Sequence, residues 1–145
     1  MISVTLEMNT TATRFYELLL TSVKHDIEQK TGEPIELSDI QSGYVYEKLL
    51  TNKMGSQGAA KTTLTHIEPP HLYEAAFDTA RGTNTVTYQI TELAAQLIEV
   101  TYREKYEPIN RVAGLNHRIM SFFYNRSNRK RMLQLLQQMK AHLQG

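Results

Sequence analysis

Apolar and polar residues alternate with a period of two at the start of the chain. The apolar members of this first segment are Ile2, Val4, Leu6 and Met8. Such alternation is typical of a β-strand with one buried face. The pattern recurs later in the chain and predicts five further strands, at residues 44–51, 60–67, 71–79, 85–91 and 97–106. Glycine and proline separate them, in a loop at 52–58, a Pro69-Pro70 break and a turn at 81–84.

Two segments have the spacing of a helix instead. The first follows residues 9–11, whose side-chain oxygens can cap a helix start. Its apolar residues are Phe15, Leu18, Leu19, Val23 and Ile27. We expect this helix to end near Gly32, because glycine readily takes the left-handed conformation of a helix stop. A short second helix or turn is expected within residues 35–42.

The second helical segment spans about residues 109–143 and is strongly basic. From Pro108 onward the chain has seven Lys or Arg residues and no Asp or Glu, whereas all 15 acidic residues precede that point. Residues 125–131 contain no apolar side chain and divide two apolar stripes. A helix from 112 to 143 would be roughly 48 Å long, against about 33 Å for a ten-residue strand. We therefore expect it to kink near residues 125–128 or to overhang the sheet.

The predicted order of elements is β-α-(α)-β-β-β-β-β-α. Strands joined by short turns are antiparallel, and helices at both ends of the run must cover one face of the sheet. A chain of 145 residues fits one domain. We therefore predict a single α+β domain over residues 1–145, in which a curved antiparallel sheet of about six strands grips a long C-terminal helix at 109–145.

Three segments ahead of the basic terminal helix carry a family resemblance. They are Gly43-Tyr44-Val45-Tyr46-Glu47, the 85–90 strand and the 98–106 strand. With the element order, they resemble the START-like (SRPBCC, helix-grip) superfamily, and within it a domain-of-unknown-function family of uncharacterised proteins from Gram-positive bacteria. The resemblance implies a cavity between the sheet and the terminal helix, which in relatives holds lipids, polyketides, hormones or other apolar molecules. It defines no catalytic residues.

Composition excludes several classes of protein. The chain has no cysteine, so disulfides, thiolate zinc sites and cysteine nucleophiles are absent. No segment approaches the roughly 18 apolar residues of a membrane span, and the alternating N-terminus lacks the apolar run of an export signal. We expect a cytoplasmic protein.

Aromatic residues on the predicted strands suit a cavity wall, because several tyrosines on one concave face would make an amphipathic pocket. Plain packing accounts for tyrosine in strands equally well. The strand candidates for ligand binding are Tyr46, Tyr73, Phe77, Tyr88, Tyr102 and Glu104. Glu104 shares the inward parity of Tyr102, so its carboxylate is expected in the cavity or at the rim of the sheet. On the helix the candidates are Arg118, Ile119, Phe122, Phe123 and Arg126, with Arg118 or Arg126 pairing an anionic group of the ligand.

Catalytic and metal-binding motifs are weak in this sequence. His66, Glu68 and His71 are the nearest approach to a zinc cluster, and we favour surface histidines at a sheet rim over a metal site. No serine lies in a Gly-x-Ser-x-Gly elbow, and no Gly-Lys-Ser/Thr fingerprint occurs. Glu92 and Glu104, predicted on adjacent strands, are the one candidate pair of carboxylates. We expect no metal and no cofactor.

Three functional classes fit these observations. The favoured class is a module that binds a small apolar or amphipathic molecule. The alternative is attachment to an anionic membrane surface or another anionic partner through Arg126, Arg129, Lys130 and Arg131. Nucleic-acid binding is a minor variant of it. The third class is a cyclase- or hydrolase-like enzyme that uses Glu104 and neighbouring tyrosines.

Overall fold

The computed structural model describes the backbone of residues 2–51, 57–79, 82–108 and 115–144, and side chains within 2–47, 61–79, 82–108 and 129–144. The strands are β1 (Ile2–Met8), β2 (Val45–Thr51), β3 (Gln57–Glu68), β4 (Leu72–Thr79), β5 (Gly82–Ala94) and β6 (Leu97–Pro108). The helices are α1 (Ala12–Thr31), α2 (Leu115–Gln144) and a short 3₁₀ helix, Leu37–Asp39. The element order is the predicted one.

The six strands form one antiparallel sheet with the order β1-β6-β5-β4-β3-β2. Strands β2 to β6 follow one another as hairpins, and β1 closes the far edge by pairing with β6. Helix α1 therefore carries the chain from one edge of the sheet to the other. The predicted α+β fold, a curved antiparallel sheet with a long C-terminal helix, is confirmed.

The register of the strands aligns one row of side chains across the middle of the inner face. Val4 lies opposite Tyr102, Tyr102 opposite Tyr88, and Tyr88 opposite Tyr73. All four side chains are buried. Because residues on one face repeat every two positions, this row also fixes Glu104 and Asn84 on the inner face of β6 and β5.

Helix α1 begins and ends at the residues that the sequence predicts. The hydroxyl of Thr11 accepts a hydrogen bond from the backbone N–H of Arg14 at 3.2 Å, and Gly32 ends the helix with φ 74°. The buried face of α1 contains Phe15, Leu19, Val23 and Ile27. These residues form a core with the inner face of the sheet.

Helix α2 is one helical segment of 30 residues, about 45 Å long at 1.5 Å per residue. Met132, Leu136 and Leu143 of its second half are buried in the core, and α2 lies against β1. The helix is not broken at residues 125–128, and a bend of its axis there stays a prediction. Side chains in its first half, through residue 128, lie outside the described residues.

Two predicted turns are shorter in the structure. Strand β3 starts at Gln57, which pairs with Thr51, so the predicted loop at 52–58 loses its last two residues; 52–56 lie outside the described residues. Strand β5 starts at Gly82, opposite Pro108, so the turn predicted at 81–84 is wrong for its last three residues. A Cβ at Gly82 would lie 2.4 Å from the Glu107 carbonyl oxygen. Glycine is therefore required here because β5 and β6 approach closely, and not because the chain turns.

Candidate ligand-binding site

An open groove of about 240 Å³ lies between α1 and α2, above the centre of the sheet. Its apolar lining comes from both helices and the sheet, and consists of Leu18 and Leu19 of α1, Tyr88 of β5, and Leu135 and Met139 of α2. Ser22, Gln138 and His142 add polar groups. A groove with an apolar lining and a few polar groups is typical of small-molecule sites.

Three tyrosines form a continuous aromatic row beneath this groove. The ring centroids of Tyr88 and Tyr102 are 4.7 Å apart, and those of Tyr73 and Tyr88 are 5.9 Å apart. Burial, followed by the neighbouring tyrosines, raises the pKa of Tyr73 and Tyr88 well above the ordinary value of a phenol. Both side chains are therefore neutral donors at physiological pH.

A buried acidic group continues the inner face beyond the tyrosines. The side chain of Glu104 is 4% exposed, and its Oε1 accepts a hydrogen bond from Asn84 Nδ2 at 2.8 Å. The other carboxylate oxygen, Oε2, and the Asn84 Oδ1 are both buried and have no hydrogen-bond partner among the described residues. Arg131 Nη2 of α2 lies 3.7 Å from Oε2, close enough for electrostatic attraction but too far for a hydrogen bond.

Tyr46 and Phe77 lie away from the groove, toward the β2 edge of the sheet. The Tyr46 hydroxyl donates to Asp26 Oδ2 of α1 at 2.9 Å. Burial and then the charge of Asp26 raise the pKa of this phenol. Phe77 lies opposite Thr62 and Asn84 and is only partly buried. The structure therefore brings Tyr73, Tyr88, Tyr102 and Glu104 together. It places Phe77 next to Asn84, the hydrogen-bond partner of Glu104, and Tyr46 farther away on β2.

The helix candidates Arg118, Ile119, Phe122, Phe123 and Arg126 all belong to α2. Their side chains lie outside the described residues, so their role in ligand binding stays a prediction.

Several residues of the site were missed by reasoning from the sequence. Asn84 was assigned to a turn, although its parity with Val86 and Tyr88 would have placed it on the inner face. Arg131 was considered only as a membrane contact. Leu135 and Met139 belong to the second apolar stripe of α2, for which the sequence predicts no part in ligand binding.

The structure does not bring the candidate zinc ligands together. His66 Nδ1 contacts Glu74 Oε2 at 2.7 Å, whereas His71 Nε2 lies 3.4 Å from Glu92 Oε1. No cluster of three or more metal-ligating side chains occurs among the residues described. Although burial raises the pKa of Glu74, hydrogen bonds from Thr65, His66 and Thr87 outweigh it and lower that pKa.

The predicted pairing of Glu92 with Glu104 is wrong. Glu92 lies opposite Ile98, six residues along β6 from Glu104, which is about 20 Å in a strand. Its side chain is 57% exposed. The β5–β6 hairpin is long enough to separate the two carboxylates, so they cannot act on one substrate atom.

Within the described part of the chain, neither long helix has a run of apolar residues sufficient to cross a bilayer.

A curved antiparallel sheet with a long C-terminal helix packed against it is the START-like class of fold. Residues 2–125 match the family described as "Domain of unknown function (DUF3284)", and the chain belongs to that family. The restriction of the family to Gram-positive bacteria stays a prediction. A search of curated proteins found no match.

Solved structures show the same fold at low sequence identity. A protein from Arthrobacter aurescens is 16% identical, with a TM-score of 0.61 over 98% of this chain and 84% of that one. A START superfamily protein from Mycobacterium smegmatis is 11% identical, with a TM-score of 0.57 over 99% of this chain and 96% of that one. A protein of unknown function from Staphylococcus aureus, SA2116, is 13% identical, with a TM-score of 0.61 over 98% and 92%. Such likeness identifies the fold alone.

Proposed function

We propose that this protein binds a small apolar or amphipathic molecule between the inner face of its sheet and α2. The observation that carries the proposal is the composition of that face. Tyr73, Tyr88 and Tyr102 form an aromatic surface. Next to it, Glu104 and Asn84 have two buried oxygens that no other described residue hydrogen-bonds. A sealed core rarely leaves buried polar atoms unpaired, whereas a ligand site uses a few of them to orient what it binds.

The groove limits the size of the ligand. Its volume of about 240 Å³ is just below the roughly 300–1,000 Å³ common for ligand pockets. The groove therefore suits a small molecule or one end of a longer chain. The fold supports the same conclusion by analogy only, through the START superfamily protein among its structural neighbours.

The test uses a tryptophan to fill the groove. Met139→Trp places an indole among Leu18, Leu135 and Tyr88, and it should abolish enhancement of 8-anilinonaphthalene-1-sulfonate fluorescence and its displacement by medium-chain lipids. Leu133→Trp is the matched control, because Leu133 is on the same helix and is 36% exposed. Unchanged binding in the Met139 variant, or no binding by the folded wild-type protein, would refute the proposal.

A second candidate function is attachment to an anionic membrane surface through α2. It is supported by the exposure of Arg129, Lys130 and Arg131 together with the exposed Leu133. Each basic residue near an anionic bilayer contributes about 1 kcal/mol. Sedimentation with phosphatidylserine vesicles should fall in the Arg129→Glu/Lys130→Glu variant and not in Lys61→Glu, an exposed lysine of β3. Absence of sedimentation of the wild-type protein at low salt would exclude this function.

A further inference from the structure

The buried oxygens of Glu104 and Asn84 indicate the chemistry of the ligand's polar end. We propose that the site recognises a neutral hydrogen-bond donor, the hydroxyl group of an apolar alcohol, which donates to Glu104 Oε2 or Asn84 Oδ1. This inference rests on the proposed function, because it names the class of molecule that the same site binds.

Both oxygens are hydrogen-bond acceptors. An ionised carboxylate only accepts hydrogen bonds, and the Asn84 amide nitrogen is already engaged with Glu104 Oε1 at 2.8 Å. Among the described residues no side chain donates to Glu104 Oε2 or to Asn84 Oδ1. A ligand group that binds at this position must therefore be a hydrogen-bond donor.

Helix α2 and strands β5 and β6 connect the groove with these oxygens. Arg131, Leu135 and Met139 repeat every four residues on α2, so they lie along one face of the helix. Leu135 and Met139 line the groove, and Arg131 lies over Glu104. On the sheet side, Tyr88 lines the groove and its ring contacts that of Tyr102, which lies two residues before Glu104 on the same face. An apolar chain in the groove thus has its end within reach of the carboxylate.

The charges around Glu104 favour a neutral donor over an ion. Arg131 at 3.7 Å already balances the carboxylate, so a ligand cation would place two positive groups beside one negative group. A ligand carboxylate would meet the Glu104 charge in a buried setting, where the repulsion is weakly screened. A hydroxyl carries no charge and supplies the missing donor.

The test compares two probes of equal chain length, 1-decanol and decanoate, by displacement of 8-anilinonaphthalene-1-sulfonate at pH 7.5. A hydrogen bond to a charged acceptor corresponds to about tenfold in affinity, so 1-decanol should bind at least tenfold more tightly. Equal affinities, or tighter binding of decanoate, would overturn the inference while the proposed function stands. Failure of both probes to bind would overturn both.

Three variants locate the effect. Glu104→Gln is nearly isosteric and removes the negative charge, so the preference for 1-decanol should shrink to less than threefold. Glu99→Gln, on the opposite face of the same strand, should leave the preference unchanged. Arg131→Gln removes the balancing charge and should widen the preference. If instead the wild-type protein binds decanoate tightly and Arg131→Gln loses only that binding, Arg131 binds an anionic ligand.

Discussion

Burial of Glu104 and Asn84 should lower the stability of the ligand-free protein, because two of their oxygens have no hydrogen-bond partner in the described part of the chain. Replacement of both by leucine removes two buried oxygens that have no hydrogen-bond partner among the described residues, each costing about 1–3 kcal/mol. It also removes one charge-assisted hydrogen bond worth about 1.5–3 kcal/mol. Arg131 loses its ion partner at little cost, since its side chain is 67% exposed. The Asn84→Leu/Glu104→Leu protein should therefore be more stable than the wild type by about 1–3 kcal/mol.

Urea unfolding, monitored by circular dichroism, measures this difference in stability. The two single variants complete a double-mutant cycle. Glu104→Leu alone should be roughly neutral, because it leaves the Asn84 amide unpaired, and Asn84→Leu alone should destabilise, because it leaves the buried carboxylate without its donor. The stabilised double variant should lose ligand binding. If the double variant is less stable than the wild type by more than about 1 kcal/mol, the pair holds the fold together and the reasoning fails.

Three further predictions concern the framework of the site. Phe15→Ala should lower the free energy of unfolding by about 3–5 kcal/mol, measured with urea, because Phe15 is fully buried against Tyr88. The control Glu17→Ala, on the exposed face of α1, should change it little. A loss below about 1 kcal/mol in the Phe15 variant would contradict this packing. Gly82→Ala should lower the melting temperature, since its Cβ would lie 2.4 Å from the Glu107 carbonyl oxygen, and an unchanged melting temperature would show that the strands can separate there. Because the pKa of Glu74 is lowered in the folded protein, the unfolded chain binds a proton at Glu74 more readily. Glu74 therefore contributes to stability above its pKa in the unfolded state, and this contribution is lost as pH falls through its pKa in the folded state. Glu74→Gln should flatten that acid-side slope, and an unchanged slope would refute the assignment.

The sequence predicted the elements well where a single periodicity held. Strand β1 was predicted from the alternation of apolar and polar residues. The ends of helix α1 were predicted from the capping side chains of residues 9–11 and from Gly32. The errors fall at strand ends, where threonine, asparagine and glycine suit a turn and an extended strand equally. Gly82 shows why: its function depends on the close approach of β6, which is a contact between distant parts of the chain.

The candidate site was predicted less completely than the fold. Parity along a strand was enough to place Tyr88, Tyr102 and Glu104 on the inner face. It could not reveal that Asn84 would share a hydrogen bond with Glu104, because that pairing depends on the register between β5 and β6. The groove likewise requires the relative placement of α1 and α2, which no local pattern contains.

The positive charge of the terminal helix separates into two features once the helix is placed on the sheet. Arg131 shares a face with Leu135 and Met139 and approaches Glu104, while Arg129 and Lys130 are exposed beside Leu133. The ligand site and the membrane surface proposed here therefore share Arg131 and otherwise use different residues of one helix. Arg129→Glu/Lys130→Glu should reduce vesicle sedimentation and leave decanol affinity unchanged, whereas Arg131→Gln should alter the preference between decanol and decanoate far more than it alters sedimentation. Equal effects of both changes in both assays would show that the basic run acts as one surface, and that the contact between Arg131 and Glu104 has no part in ligand choice.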